Sequence, residues 1–140
     1  MNKLENYAWA LTRLKADNLT ELRRLTAPEI RFIDPFNQLT GQDNFIGILT
    51  EMFEQCSSVH FEIHQQQLQG RSGFLYWTFT ATSYRLGTLS FEGTSRIEFD
   101  QQGLVLLHQD FWDTAHLFKK IPLLGSVIRL IRKKAAYRCK

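Results

Sequence analysis

The sequence predicts an α+β fold in which helices precede and follow a block of long strands. Apolar residues at helical spacing, Leu4, Tyr7, Leu11 and Leu14, mark the N-terminal part of the chain. From about Val59 to Asp113, apolar and polar residues instead alternate every two positions, which is typical of strands. Short turn signals separate the strands, so we expect an antiparallel meander. Such a sheet, curved around the N-terminal helices, would form a cone that encloses a cavity.

Three helices and one short strand are predicted before the meander. The helices run from about Lys3 to Leu14, from a cap at Asp17 or Asn18 to Pro28, and from about Gly41 to Gln55. Ile30–Ile33 is a short extended piece, which Asp34-Pro35 closes because the residue before a proline avoids the helical region. Residues 36–38 are expected to form a loop.

Four long strands and two helices complete the chain. The strands are Val59–His64, Phe74–Tyr84, Leu89–Asp100 and Gly103–Asp113. The turn Gln101-Gln102-Gly103 joins the last two strands. A short helix is predicted at Ala115–Lys120 and, after Pro122, a last helix at Leu123–Tyr137.

The composition is that of one globular domain. The chain has 140 residues, of which 44% are hydrophobic and 18 are aromatic (11 Phe, 4 Tyr, 3 Trp), enough for a core. The N-terminus lacks the apolar stretch of a signal peptide, and the longest apolar run, Ile121–Ile131, is too short to span a bilayer. Cys56 and Cys139 lie far apart and match no metal spacing. These features predict a cytoplasmic protein.

The net charge of +3 conceals a strongly basic tail. From Lys119 onward there are eight basic residues and no acidic residue, whereas the rest has nine basic and fourteen acidic residues, a net charge of −5. On a helical wheel, apolar residues occupy one broad side of the tail, and Arg129, Arg132 and Lys133 lie opposite. We therefore divide the chain into a domain, residues 1–118, and a basic amphipathic extension, residues 119–140.

Two interpretations of this tail stay open. The simpler is a helix docked on the domain by its apolar side, with its basic side in water. The alternative is a membrane-surface helix with its basic side on anionic headgroups, which would make the protein peripheral to the membrane. Nucleic-acid binding is not expected, because the tail has one aromatic residue, Tyr137, and no recognition motif.

The stretch Gly103–Asp113 carries the polar side chains that most need an explanation. His108, Asp110 and Trp112 are spaced by two and therefore share one face of a strand. A buried, unpaired carboxylate is costly, so Asp110 is expected to be paired, protonated or directed into a wet cavity. This face predicts the position of a pocket.

The order of the elements resembles a known family when it is taken together with two motifs. The motif G-x-S-x-I-x-F-D-x-x-G occurs at Gly93–Gly103, and W-D at Trp112-Asp113 closes the last strand. Over about residues 1–118 the chain resembles the nuclear transport factor 2-like superfamily, in particular its SnoaL-like group of polyketide cyclases and, more distantly, the ketosteroid isomerases. The resemblance implies a cone-shaped barrel with a pocket open at one end, and often a dimer. It leaves activity open, since the superfamily holds isomerases, cyclases, hydrolases and members without chemistry.

Asp34 is one candidate base that the resemblance implies. Ketosteroid isomerases have an Asp-Pro at this point whose carboxylate is the general base, and Asp34-Pro35 matches that motif. An Asp-Pro can equally form a turn, and both interpretations stay open. The isomerases also have two hydrogen-bond donors for the enolate oxygen, a tyrosine and a protonated acid. The position of the tyrosine corresponds to Ala10 in this chain, near Tyr7, and the position of the acid corresponds to Ser95, so neither residue matches. Steroid isomerase activity is therefore not expected.

Asp110 is the second candidate base. SnoaL-like cyclases have an acid on the last strand, and Asp110 looks similar in position. If Asp34 and Asp110 approach across the pocket, one can be ionised and the other protonated, with His108 as a donor or proton carrier. Alternatively, Asp110 pairs with His108 only to satisfy a polar core. The expected ligand contacts are Trp112, Ser95, Tyr7 and Phe99.

The sequence predicts neither a metal nor a cofactor. His60, Glu62 and His64 share one face, but such an alternation is more often the solvent side of a strand. There is no glycine-rich phosphate loop and no Gly-x-Ser-x-Gly nucleophile motif. Nucleotide cofactors and covalent catalysis are therefore not expected.

The sequence leaves two alternatives for which face of the strand Phe74–Tyr84 points into the cone. Hydrophobicity favours Trp77 and Phe79, whereas the register of the family favours Thr78 and Thr80. Bulky residues remain on the outer face in either case, and from them we expect a homodimer through the sheet.

We expect a pocket protein that binds a small apolar molecule. The leading hypothesis is cofactor-free acid–base catalysis, of the isomerase, cyclase or hydrolase type, by Asp34 and Asp110 with His108 assisting. The rival hypothesis is a non-catalytic ligand-binding or protein-interaction domain.

Overall fold

The computed structural model describes residues 1–137 and has the predicted α+β architecture. The helices are α1 (Lys3–Thr12), α2 (Gln42–Gln55), α3 (Ala115–Phe118) and α4 (Leu124–Ala135), with a 3₁₀ segment at Leu19–Arg24. The strands are β1 (Thr26–Ile33), β2 (Gln38–Thr40), β3 (Cys56–Gln69), β4 (Ser72–Ser83), β5 (Gly87–Phe99) and β6 (Val105–Trp112). Arg138, Cys139 and Lys140 of the predicted extension lie outside the described residues. Within residues 1–137, no helix is long and apolar enough to cross a membrane.

Six strands form one curved, open sheet in the order β2-β1-β6-β5-β4-β3. The four long strands β3 to β6 pair antiparallel, as predicted. Strand β1 lies parallel to β6, so the sheet as a whole is mixed. The two strands are far apart in the chain, and no hairpin therefore forces them to run antiparallel.

The elements before α2 differ from the predictions at several places, since β1 begins at Thr26 rather than Ile30 and the short strand β2 was not predicted. Pro28 does not end a helix but lies inside β1, where the register with β6 shifts between Thr26 and Arg31. Proline has no backbone N–H, so such an irregular part of a strand tolerates it. Asn18 does not cap the 3₁₀ segment through its side chain, because that side chain bonds the backbone of Lys15 and Arg13 instead.

The first helix packs its predicted apolar side into the core. Leu4, Tyr7 and Leu11 are buried, as their helical spacing requires. A capping box fixes the start of α1, in which the side chain of Asn2 accepts from the Glu5 backbone N–H at 2.8 Å. The capping box stabilises the first turn of α1, the helix that carries Tyr7.

The inward face of β4 is the hydrophobic one. Leu75, Trp77 and Phe79 are buried, whereas Thr78 lies on the outer face and hydrogen-bonds His64 at 2.6 Å. Hydrophobicity therefore predicted this face correctly, and the family register did not. Phe111 on β6 is 51% exposed, because it also lies on the outer face of the sheet.

Candidate functional site

A cavity of about 500 Å³ lies between the concave face of the sheet and the helices. Its walls are mainly apolar and include Leu11, Phe32, Phe45, Phe61 and Trp77. A volume of this size and a lining of this kind are typical of small-molecule sites. The polar side chains in the wall are few, so each of them bears on what the cavity can bind.

The predicted polar face of β6 borders this cavity. His108, Asp110 and Trp112 all line it, because alternate residues of a strand point to the same side. Nε2 of His108 lies 2.7 Å from Oδ1 of Asp110. The Asp110 side chain is 17% exposed and the His108 side chain 7%, so the carboxylate is the more accessible member of the pair.

A second donor holds the same carboxylate oxygen. The hydroxyl of Ser95 on β5 donates to Oδ1 of Asp110 at 2.5 Å. The indole Nε1 of Trp77 donates to Ser95 Oγ at 2.8 Å. Ser95 is directly opposite Asp110 in the β5–β6 register, so the sheet itself sets this contact. Oδ2 of Asp110 accepts no hydrogen bond from the described residues, and it is the oxygen left for a ligand.

Tyr7 supports the other side of the imidazole. Its hydroxyl lies 2.7 Å from Nδ1 of His108. Burial, and secondly the negative charge of Asp110, raise the pKa of Tyr7 well above 10, so the hydroxyl keeps its proton. With His108 neutral and its proton on Nε2, Tyr7 donates to Nδ1 and Nε2 donates to Asp110. In this state every donor of the chain Trp77–Ser95–Asp110–His108–Tyr7 has an acceptor.

The rings around His108 are apolar. Phe32 and Phe45 lie with their ring centroids 5.4 Å and 5.8 Å from the imidazole. Trp112 stacks on Phe91 at 4.6 Å and meets the edge of Phe36 at 5.7 Å, which continues the aromatic wall toward α3. The polar chain is thus set in a hydrophobic surround, in which electrostatic interactions are stronger than in water.

Asp34 lines the cavity as well, but its carboxylate is occupied by a turn. Oδ1 accepts from the backbone N–H groups of Phe36 and Asn37 at 2.8 Å and 2.7 Å, and from the side-chain amide of Asn37 at 3.1 Å. This is the arrangement of an Asx turn, one of the two interpretations of Asp34-Pro35. No hydrogen bond joins Asp34 to Asp110 among the described residues.

Two of the predicted ligand contacts do not border the cavity. Phe99 is buried outside its wall, with the ammonium group of Lys3 5.1 Å from the ring centroid. Tyr7 is also absent from the wall and touches His108 instead. Phe99 is the last residue of β5 and lies beside Lys3 of α1, and Tyr7 is buried behind the imidazole of His108, so neither side chain reaches the cavity. Ser95 and Trp112 do line it.

Sequence reasoning missed the role of Trp77 as a donor in the site. The sequence indicated Trp77 only as a candidate inward-facing hydrophobic residue of its strand, whereas it lies on the cavity wall and donates its N–H to Ser95. One signal pointed to it, since a buried tryptophan usually finds an acceptor for its N–H. The acceptor, Ser95, is itself part of the Gly-x-Ser motif.

Among the described residues, the cavity wall contains acids but no lysine or arginine. Asp34, Glu51 and Asp110 are the carboxylates, and His108 is the single imidazole. Within residues 1–137, no group of three His, Cys, Asp or Glu side chains is arranged to hold a metal ion. The wall therefore suits a neutral or cationic ligand better than an anion.

Comparisons with known proteins agree on the fold. A protein of nuclear transport factor 2-like fold and unknown function from Burkholderia pseudomallei superposes with a TM-score of 0.73 at 16% identity, covering 86% of this chain and 95% of that one. A candidate SnoaL-like polyketide cyclase from Jannaschia gives 0.73 at 12% identity, covering 86% and 92%. An epoxide hydrolase of the LEH-like type from Mycobacterium tuberculosis gives 0.65 at 20% identity, covering 94% and 93%.

The sequence comparisons give the family. No curated protein matches the chain. The profile of the SnoaL-like domain does match, over residues 8–108, which include the second half of α1, the meander as far as His108 in β6, and the motif Gly93–Gly103. This match covers well over half of the chain, and the protein therefore belongs to the SnoaL-like domain family.

Proposed function

We propose that this protein binds a small apolar molecule and transfers a proton to or from it with Asp110, without a cofactor. The observation that carries the proposal is the carboxylate of Asp110 in the cavity wall, with Oδ1 held by Ser95 and His108 and Oδ2 free of donors from the described residues. A positioned carboxylate in an apolar cavity is suited to act as a general base.

Each member of the hydrogen-bond chain has a distinct task in this proposal. Asp110 takes the proton from the ligand at Oδ2. His108 and Ser95 stabilise the carboxylate through Oδ1 and fix its plane. Tyr7 holds His108 in the tautomer that donates to Asp110, and it touches no ligand. Tyr7 is thus a positioning residue, whereas Asp110 is the catalytic one.

In this proposal Asp34 is not a general base, although the family resemblance implies that role. Three N–H donors occupy its Oδ1, and the side-chain amide of Asn37 also reaches its Oδ2 at 3.3 Å, so neither oxygen is free of donors as Oδ2 of Asp110 is, and the geometry supports the turn rather than a second base. An acid–base pair of Asp34 with Asp110 is accordingly not part of the proposal. The chemistry reduces to a single base step, which isomerases, cyclases and hydrolases share.

The test uses the Kemp elimination of nitrobenzisoxazole, a neutral aromatic probe. The base removes the C–H proton, the ring N–O bond breaks, and a coloured cyanophenolate forms, so the reaction needs no cofactor. Asp110→Asn should lower the rate by about a hundredfold to ten-thousandfold. Binding of nitroindazole, an unreactive probe of similar shape, should persist in that variant. Asp34→Asn is the matched control, because it removes a carboxylate from the same cavity and keeps the turn acceptor.

The outcome separates the proposal from its rival. Equal rates for the unaltered protein and Asp110→Asn would remove Asp110 from catalysis. If nitroindazole still bound, a non-catalytic ligand-binding domain would then be the better account. That rival has support in the structure, since within residues 1–137 no buried side-chain polar atom lacks a hydrogen-bond partner. A polar core of this kind can be purely structural.

A further inference from the structure

The last helix leaves its apolar side uncovered. Val127, Leu130 and Ile131 of α4 are 51%, 54% and 56% exposed, and Leu123 just before the helix is 84% exposed. The simpler interpretation of the tail, a helix docked on the domain by its apolar side, predicts burial of these residues. The structure contradicts that interpretation.

A different side of α4 touches the rest of the protein. Gly125 is the one buried residue of the helix, and Ile128 is half-buried. A Cβ at Gly125 would lie 2.4 Å from the carbonyl oxygen of Lys119, so a glycine is needed for α4 to approach α3 this closely. The contact between α4 and the rest of the protein is therefore small, and most of the helix surface is exposed to solvent.

The charges of this segment all have one sign. Between residues 119 and 137 the chain has six basic residues and no acidic one: Lys119, Lys120, Arg129, Arg132, Lys133 and Lys134. Arg132 approaches Asp113 at 3.5 Å, but both side chains are half-exposed and such a pair contributes little. A helix with an open apolar side and a basic polar side is typical of helices that lie in a membrane interface.

The helix α3, on which α4 packs, forms part of the cavity wall. Leu117 of α3 lines the cavity, and Phe118 lies with its ring centroid 5.9 Å from that of Phe36, another lining residue. Since α4 packs on α3, the helix lies close to the part of the cavity wall that Leu117 forms.

We propose that α4 binds the surface of anionic lipid membranes, with Val127, Leu130 and Ile131 at the acyl boundary and the basic side chains on the headgroups. Charge complementarity selects this occupant, because residues 119–137 have six basic and no acidic residues, whereas residues 1–118 carry −5 and offer anionic lipid no comparable attraction. The cavity then lies next to an apolar phase from which a ligand can partition. Only this last consequence rests on the proposed function.

The experiment uses the full chain and sedimentation with vesicles. Vesicles of phosphatidylcholine with phosphatidylglycerol should bind the protein at low salt, and binding should weaken as salt rises. Pure phosphatidylcholine should bind it much less. Lys133→Glu/Lys134→Glu and Leu130→Ser/Ile131→Ser should each reduce the bound fraction about tenfold or more. Lys15→Glu/Arg71→Glu, which makes the same charge change at exposed positions outside the tail, should bind almost as the unaltered chain does.

Several results would overturn the proposal. These are absence of binding to anionic vesicles at low salt, equal loss with Lys15→Glu/Arg71→Glu, and full binding by Leu130→Ser/Ile131→Ser. An oligomer that forms without lipid and dissociates in Leu130→Ser/Ile131→Ser would assign the apolar side to a second copy instead. Circular dichroism checks that each variant folds. Asp110→Asn should bind vesicles normally, so failure of the catalytic proposal is separable from failure of this one.

Discussion

The indole ring of Trp77 lies directly over Gly93 of the neighbouring strand. The two residues are cross-strand partners, and a Cβ at Gly93 would lie 2.3 Å from Cη2 of the ring. The same ring donates its N–H to Ser95, which in turn donates to Asp110. The absence of a side chain at Gly93 therefore determines where the indole lies and, through Ser95, how the carboxylate is held.

Gly93→Ala should displace the ring and weaken both the fold and the site. Overpacking of this kind in a core costs about 1–3 kcal/mol of the free energy of unfolding. Loss of the Trp77–Ser95 bond should also lower the rate of the benzisoxazole reaction. Denaturant unfolding and probe kinetics measure the two effects.

Gly47→Ala is the control for that variant. Gly47 is exposed in α2, and a Cβ there meets nothing within 4 Å. Alanine is the better helix former by about 0.5–1 kcal/mol, so this change should stabilise the protein and leave the site unaffected. If Gly93→Ala were as stable and active as Gly47→Ala, the indole would not depend on Gly93.

Tyr7→Phe should change how stability depends on pH. Burial raises the pKa of Tyr7 above 10 in the folded state, whereas the unfolded chain ionises near 10. The resulting stability is complete below pH 10 and is lost as pH rises above it, because the unfolded state then loses its proton first. At neutral pH the variant should be less stable by about 1–3 kcal/mol, since His108 loses a buried partner. That gap should narrow as the pH rises above 10.

The measurement is the free energy of unfolding across the alkaline range. Tyr84→Phe serves as the control, because Tyr84 is 73% exposed. Its pH dependence should match that of the unaltered protein. A gap between Tyr7→Phe and the unaltered protein that stays constant with pH would contradict the buried, protonated hydroxyl.

Local alternation was sufficient to predict which residues form the polar face of the site. It was not sufficient to predict the residue that holds His108 from behind, which is Tyr7. His108, Asp110 and Trp112 are neighbours on one strand, so their spacing alone places them together. Tyr7 is 101 residues from His108, and their contact depends on how far the sheet curves over α1. No local pattern carries that information, which is why Tyr7 was expected at the ligand rather than behind the imidazole.

The fold, like the site, could be predicted only in part from the sequence. The alternating strands fixed the meander and its directions, because consecutive hairpins must run antiparallel. The direction of β1 beside β6 follows instead from the path of the whole chain. For α4, amphipathic spacing predicted a helix, but a helical wheel does not say which side meets the domain, and Gly125 proved to be the contact.

Asp34→Ala should destabilise the protein without abolishing turnover of the probe. The alanine leaves two backbone N–H groups and the Asn37 side chain without their acceptor, a cost of about 1–2 kcal/mol. Asp34→Asn keeps an acceptor oxygen and should cost less. Unfolding experiments and benzisoxazole kinetics on both variants separate the turn from a base. A loss of turnover in Asp34→Asn as large as that in Asp110→Asn would restore Asp34 as a catalytic residue.

The outer face of the sheet carries a row of aromatic side chains, from which we propose a homodimer. Tyr76 is opposite Thr94, and Thr94 is opposite Phe111, so the two aromatic residues lie in line across β4, β5 and β6. Phe74, two residues before Tyr76, extends this patch, and the three rings are 48%, 38% and 51% exposed in chain order. Such a patch on a curved sheet is a candidate surface for a second copy.

Phe74→Glu/Phe111→Glu should convert that dimer to a monomer, because two like charges would be buried against their symmetry mates in the interface. Sedimentation at micromolar concentration measures the change, and circular dichroism should be unaltered, since both rings are exposed. Tyr84→Glu is the matched control, an exposed aromatic residue just after β4 and outside the row. A monomeric unaltered protein would contradict the dimer outright. A dimer that survives Phe74→Glu/Phe111→Glu but not Leu130→Ser/Ile131→Ser would move the interface from the sheet to α4.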